Sequence, residues 1–189
     1  MTEDRPSLSP ERIARLAERL DRPLVLVGLM GVGKSTIGRR LAAHLGRSFI
    51  DADEAIEAAA QRSISEIFEA FGEAYFRDGE RRVIARLIEG HDGVIATGGG
   101  AFVNHETRAL ILEKGIAVWI DCAIDTLVER TARRSTRPLL KTGDPREILT
   151  RLYQERRGCY AEAPIHVMSD AGPHEVTTMR ILEALEQWL

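Results

Sequence analysis

Residues 28–36 read GLMGVGKST, and positions 28–35 match the pattern G-x-x-x-x-G-K-[ST]. A short apolar run, residues 24–27, stands directly before this stretch and predicts a buried parallel strand. The pattern of residues 34–45 after it predicts a helix. A glycine-rich turn between a strand and a helix directs backbone amides and the positive end of the helix dipole at an anion. The stretch therefore predicts a cradle for the phosphates of a nucleoside triphosphate.

The residues of this loop have distinct expected tasks. Lys34 would reach the β- and γ-phosphates, Ser35 would ligate Mg²⁺, and Thr36 adds a hydroxyl for the α-phosphate. A plain glycine-rich turn is the alternative interpretation, and the flanking strand and helix argue against it. The pattern says nothing about the group that receives the phosphate. The residues expected to contact ATP here are Gly31, Val32, Gly33, Lys34, Ser35 and Thr36.

The alternation of apolar runs and helical patterns continues along the chain. Repeated β-α alternation implies a parallel sheet with helices on both faces. The sequence therefore predicts an α/β fold of three α-β-α layers around a five-stranded parallel sheet, with ligands beyond the carboxyl ends of the strands. The predicted strands are 24–27, 49–51, 94–97, 116–120 and 165–168, and the predicted helices are 34–45, 54–60, 64–71, 74–89, 104–113, 124–133, 145–160 and 173–188.

Residues 1–22 precede this alternating pattern. We expect them to form a tail and one extra helix beside a domain of residues 23–189. Ser9 and Pro10 are typical of a helix start, and apolar residues follow at helical spacing, which predicts a helix over 9–20. This helix either packs on the domain or binds a partner.

The composition narrows the classes of function. The 189 residues carry a formal net charge of −3, whereas nucleic-acid binders more often present a concentrated positive face, so we expect no nucleic-acid partner. We also expect no membrane partner and no signal peptide, because no apolar run could span a bilayer and the first residues are polar. The separate cysteines, Cys122 and Cys159, favour reduced thiols and a cytoplasmic location. A monomer is the default expectation.

Polar and glycine residues follow the second and third predicted strands. Asp51 and Asp53 lie at the end of the second, and positions two apart in a strand project to the same side. One carboxylate could hold Mg²⁺ and the other could accept a proton from an attacking hydroxyl, with helix capping as the alternative. Residues 98–100 are three glycines after the third strand. Their amides could bind an anion or a hydroxyl, or they form an ordinary turn.

Three arginines stand where they suit an anionic substrate. Arg77 lies three residues before Glu80, so the two form either a surface salt bridge or an arginine oriented for a carboxylate. Arg137 opens a polar stretch with Gly and Pro, which we interpret as a lid that carries an arginine toward the γ-phosphate; a plain surface loop is the alternative. Arg156 lies on the following helix, where a solvated charge is the alternative.

In combination, these segments resemble the shikimate kinase family over residues 23–188. The resemblance implies a P-loop kinase fold of the nucleoside-monophosphate-kinase type and Mg²⁺-dependent phosphorylation of the shikimate 3-hydroxyl by ATP, in aromatic amino-acid biosynthesis. It rests on matching order and spacing of Gly28–Thr36, Asp51-Ala52-Asp53, Gly72-Glu73 with Phe76-Arg77 and Glu80, Gly98–Gly100, Arg137-Pro138-Leu139-Leu140, and Arg156 with Tyr160.

The resemblance also implies roles for single residues. Asp53 would bond the ring hydroxyls and take the proton, with Lys34 and Arg137 completing the catalytic set. Asp51 and Ser35 would manage Mg²⁺. Arg130 resembles the residue near adenine and joins Arg137 as an ATP contact. The implied shikimate-binding residues are Asp53, Arg77, Gly99, Gly100 and Arg156, with Ile64, Phe68 and Phe76 as apolar walls.

One departure from the family pattern leaves a choice open. Gly158 stands where the family commonly has proline, and the extra Arg157 beside it is an alternative to Arg156 as the carboxylate ligand. Two other functions also stay open. One is a kinase for another small acceptor such as gluconate or a nucleotide, and the other is a non-catalytic, ligand-sensing kinase-like domain.

Overall fold

Five parallel strands form the centre of the fold. The computed structural model describes residues 8–133, 140 and 143–189. Neighbouring strands pair in parallel in the order β2-β3-β1-β4-β5, which confirms the predicted five-stranded parallel sheet. The strands are Leu24–Val27 (β1), Phe49–Asp51 (β2), Val94–Ala96 (β3), Ile116–Cys122 (β4) and Ile165–Ser169 (β5).

Helices cover both faces of this sheet. As a result, every residue of β1 and β4 is buried, whichever face its side chain points to. No helix among residues 8–133, 140 and 143–189 combines the length and apolar composition needed to cross a membrane. The helices are Pro10–Arg19 (α1), Lys34–Leu45 (α2), Ala52–Ala60 (α3), Ile64–Gly90 (α4), His105–Lys114 (α5), Ile124–Ala132 (α6), Pro145–Tyr160 (α7) and His174–Trp188 (α8).

The N-terminal helix α1 packs on the same core as the sheet. Ser9 caps it by accepting a hydrogen bond from the Arg12 amide, as the sequence predicts. Leu16 and Leu20 are buried in the main core, and α1 contacts α2 and α8. Arg47 donates to the carbonyls of Ala17 and Leu20, which satisfies the open end of the helix. Helix α1 therefore packs on the domain.

Helices α3 and α4 form a lobe with a small apolar cluster of its own. Its buried members are Ile56 on α3 and Ile67, Phe76 and Val83 on α4. The helices predicted over 64–71 and 74–89 are confirmed, because α4 consists of two helical stretches that meet at a kink at Gly72. Gly72 has φ 82° and ψ 175°, a conformation that only glycine adopts readily.

Two glycines of α4 allow a matched test of this backbone argument. We expect Gly79→Ala to raise the free energy of unfolding by about 0.4–1 kcal/mol, because Gly79 is helical and alanine restricts the unfolded chain. Gly72→Ala should lower it by roughly 1–3 kcal/mol, because its backbone is strained for alanine. A Cβ at either position would meet no atom within 4 Å, so crowding does not differ between them. Thermal and denaturant unfolding measure both; equal effects would contradict the argument.

Candidate active site

The glycine-rich loop after β1 borders a cavity of about 270 Å³ at the carboxyl edge of the sheet, here named the phosphate cavity. Helix α2 begins at Lys34, directly after the loop, so its N-terminal amides face this cavity. The lining residues are Met30, Gly31, Gly33, Lys34, Ser35, Thr36, Asp51, Asp53, Thr97, Gly98, Gly99, Arg130, Thr131, Arg133 and His174.

Lys34 is held at this cavity by the loop itself. Its Nζ donates to the carbonyl oxygens of Gly28 at 2.7 Å and Leu29 at 2.9 Å, and the side chain is buried. Val32 is absent from the cavity lining and its side chain lies in the core, so its predicted contact with ATP stays a prediction. Any contact of Val32 with a ligand here would come from its backbone.

Asp51 links the loop helix to the next helix. Its Oδ2 accepts a hydrogen bond from Ser35 Oγ at 2.5 Å, and its Oδ1 accepts one from the Asp53 amide at 2.9 Å. The predicted strand geometry is wrong, since β2 ends at Asp51 and Asp53 lies in the first turn of α3. Asp51 is the N-cap of α3, as the capping alternative proposed. Both carboxylates nevertheless line the phosphate cavity.

A second cavity of about 480 Å³ adjoins the first and is here named the acceptor cavity. The two cavities share six lining residues, Asp53 among them, so they open into one another. The predicted apolar walls, Ile64, Phe68 and Phe76, all line it, and the rings of Phe68 and Phe76 lie 4.7 Å apart. Its lining residues are Met30, Ser35, Asp51, Asp53, Glu54, Glu57, Ile64, Ser65, Phe68, Phe76, Arg77, Glu80, Gly98, Gly99, Gly100 and Arg156.

Arg77 enters the acceptor cavity in a fixed orientation. Its Nη1 donates to Glu80 Oε2 at 2.6 Å, and Glu80 is buried, so the pair is not a plain surface salt bridge. Burial raises the pKa of Glu80, and the Arg77 guanidinium opposes that rise. A Cβ at Gly100 would overlap the Arg77 guanidinium, and one at Gly98 would lie 2.8 Å from Asp53 Oδ1. The glycines therefore make room for the site's own side chains.

The structure distinguishes the two neighbouring arginines of α7. Arg156 is half-buried and lines the acceptor cavity, whereas Arg157 is exposed and absent from the lining. One turn on, the Tyr160 hydroxyl donates to the Gly99 carbonyl at 2.5 Å and holds the glycine loop in place. Burial raises the pKa of Tyr160 to about 12, which keeps this hydroxyl a donor.

Arg130 lines the phosphate cavity and spans two loops. Its guanidinium donates to the Val32 carbonyl at 3.1 Å and to the Asp170 carbonyl at 2.5 Å. It thereby ties the glycine-rich loop to the segment after β5. Arg137 lies outside the described residues, and of the predicted lid from 137 the structure describes only Leu140 and residues 143–145.

Sequence reasoning missed five lining residues of the phosphate cavity: Met30, Thr97, Thr131, Arg133 and His174. Thr97 was predicted as the last residue of a strand, but β3 ends at Ala96 and Thr97 already belongs to the site. Its position next to the three glycines was a usable signal. His174 begins α8 and lies against Gly33, and no sequence pattern connects the two.

Comparisons with known proteins agree with this geometry. The family model described as shikimate kinase matches residues 30–186. A shikimate kinase of Novosphingobium aromaticivorans is 60% identical and covers 100% of both chains. One of Caulobacter vibrioides is 55% identical over 91% of this chain and 86% of the relative. The chain belongs to the shikimate kinase family. The expectation from the sequence is thereby confirmed at the level of fold, family and phosphotransferase activity.

A solved structure of a shikimate kinase extends the comparison to three dimensions. Shikimate kinase from Acinetobacter baumannii, described in complex with shikimate, superposes with a TM-score of 0.86 at 35% identity. The match covers 92% of this chain and 97% of that chain. The likeness confirms the P-loop kinase fold that the sequence predicts.

Proposed function

We propose that the chain transfers the γ-phosphoryl group of ATP to the 3-hydroxyl of shikimate. The observation that carries this proposal is the continuity of the two cavities: the phosphate cavity and the acceptor cavity share Asp53, Ser35 and Gly99. Family membership and the shikimate complex of the Acinetobacter baumannii relative support the choice of acceptor.

The acceptor carboxylate would be bound by two arginines. Arg77, oriented by buried Glu80, and Arg156 line the same cavity and carry planar forks that match a carboxylate. Phe68 and Phe76 supply the apolar wall for the ring, and the Gly99 and Gly100 backbone lies beside it. This arrangement would place the acceptor hydroxyls toward Asp53, on the boundary between the cavities.

The reaction would be an in-line displacement at the γ-phosphorus. Asp53 takes the proton of the 3-hydroxyl, the oxygen forms a bond to phosphorus, and the bond to the bridging oxygen of ADP breaks. Lys34 and the amides of α2 stabilise the negative charge on the phosphates. Ser35 and Asp51 offer the oxygen ligands that Mg²⁺ prefers; when bound, the ion neutralises phosphate charge. Arg130 as an adenine contact and Arg137 as a further catalytic cation stay predictions.

Further expectations about the setting of the protein belong to the same proposal. We expect a cytoplasmic monomer that binds ATP and shikimate and has no nucleic-acid or membrane partner. The formal net charge of −3 supports the absence of a nucleic-acid partner. The two free cysteines support a cytoplasmic location.

A coupled ADP-release assay with a panel of acceptors tests the proposal. We expect ATP-dependent turnover with shikimate and only background rates with gluconate or nucleoside monophosphates. Turnover with gluconate and none with shikimate would mean that the protein is a kinase with gluconate, rather than shikimate, as its acceptor. ATP binding with no turnover on any acceptor would favour the ligand-sensing alternative.

Removing Arg77 tests the proposed carboxylate site. We expect Arg77→Ala to raise the KM for shikimate by about 10- to 100-fold with a smaller change in the KM for ATP, because a charge-assisted contact is lost only at the acceptor. Steady-state kinetics with each substrate varied in turn measures this. Arg156→Ala should act similarly, while Arg157→Ala serves as the control for the same helix. An unchanged KM for shikimate in Arg77→Ala would show that Arg77 does not bind the shikimate carboxylate.

A further inference from the structure

A third cavity, of about 280 Å³, lies between α3 and α4 and has no role in the proposed reaction. We name it the α3–α4 pocket. Phe76 separates it from the acceptor cavity, since this ring lines both. Ile56, Ile67 and Val83 supply a buried apolar floor. The pocket is therefore as large as the phosphate cavity and apolar inside, which suits a small organic ligand.

Gly79 gives a first reason to expect a ligand in this pocket. It lies inside α4 with helical backbone, and a Cβ there would meet no atom within 4 Å. A glycine inside a helix makes the helix less stable than an alanine would. Among the described residues, no neighbouring atom explains why glycine stands at position 79. Ala59 and Ala60 face the same pocket from α3. A ligand lying against the backbone of α4 would explain why the space is kept open.

The arginines of the pocket give a second reason. Arg82 and Arg86 lie one turn apart on α4, and both line the pocket. Arg82 is paired with Asp78, another residue of the lining. Arg86 is exposed to solvent, and it forms no hydrogen bond or ion pair with any residue that the structure describes. The pocket thus combines an apolar floor with one guanidinium that has no carboxylate partner of its own.

We propose that the α3–α4 pocket binds a small aromatic monocarboxylate. The carboxylate lies on Arg86, where a guanidinium fork matches its two oxygens. The aromatic ring lies over Gly79 and against Phe76, and the exposed ring of Tyr75, also part of the lining, closes over it. The proposal concerns ligand binding alone and does not rest on the proposed phosphoryl transfer.

Isothermal titration of the full chain with 3-phenylpropionate tests the proposal, with 3-phenyl-1-propanol as the uncharged twin. We expect saturable binding of the acid to the native chain. The Kd should be about 10-fold higher for the alcohol on the native chain, and about 10-fold higher for the acid on Arg86→Gln. Arg151→Gln changes an exposed arginine of α7 and should leave the Kd unchanged. Gly79→Leu should abolish binding, because its side chain would enter the open pocket. If Gly79→Leu unfolds, the Arg86→Gln result decides.

The acceptor cavity also contains arginines and must be told apart from the α3–α4 pocket. Arg77→Ala should leave the Kd of 3-phenylpropionate unchanged, because Arg77 lines the acceptor cavity and does not line the α3–α4 pocket. Three results would overturn the proposal: no saturable binding, equal affinity for the acid and the alcohol, or binding that is lost in Arg77→Ala and kept in Arg86→Gln.

Discussion

Asp53→Asn is expected to lower kcat by a factor of about 10² to 10⁴, because the amide cannot take the proton of the attacking hydroxyl at neutral pH. ATP binding should stay close to that of the native protein. The contact between Asp51 and residue 53 uses the backbone amide of residue 53, so the cap of α3 survives the substitution. Single-turnover kinetics measures the chemical step, and equilibrium titration measures the ATP affinity.

Glu69→Gln is the matched control for this variant. Glu69 is an exposed carboxylate on α4 and lines neither cavity, so it loses the same charge elsewhere in the α3–α4 lobe. We expect native kcat for it. Native turnover in Asp53→Asn would show that the acceptor proton leaves by another route. A fall in kcat of equal size in Glu69→Gln would mean that charge in this lobe, rather than the position of Asp53, controls the rate.

Local sequence patterns predicted the centre of the sheet well because β1, β3 and β4 are buried on both faces. The run of residues 24–27 is apolar throughout, and a fully buried strand needs no alternation to be recognised. The start of α2 was also predicted, since the glycine-rich loop and the helix after it form one motif. In both cases the signal is contained within a few neighbouring residues.

Asp53 shows how a correct site residue can come with wrong geometry. The sequence suggested that Asp51 and Asp53 share one side of a strand. In the structure Asp51 caps α3, and the chain turns into a helix at Ala52. A helix start brings the side chain of Asp53 to the same edge of the sheet, so the site prediction survives although its reason does not. Capping competes with strand extension at such a boundary, and the sequence alone does not rank the two.

Contacts between distant parts of the chain could not be predicted from the sequence. Arg130 reaches the Val32 carbonyl across 98 positions, and Tyr160 reaches the Gly99 carbonyl across 61. Gly79 was only one residue in a predicted helix until the fold placed it beside an open pocket. No local pattern reports which elements meet in the folded chain, so these features required the three-dimensional structure.

Lys34→Met is expected to lower kcat by roughly 10²- to 10³-fold, the usual effect of removing one preorganised donor from developing charge. The substitution keeps the length of the side chain and removes its charge. It also removes the donor for the Gly28 and Leu29 carbonyls, so the loop should hold the triphosphate less firmly and the Kd for ATP should rise.

Lys114→Met is the matched control, because Lys114 is exposed and paired with Glu89. Turnover and ATP titration separate the two effects. Native kcat with only a raised Kd for ATP would limit Lys34 to holding the ground state, and native values of both would remove it from the mechanism.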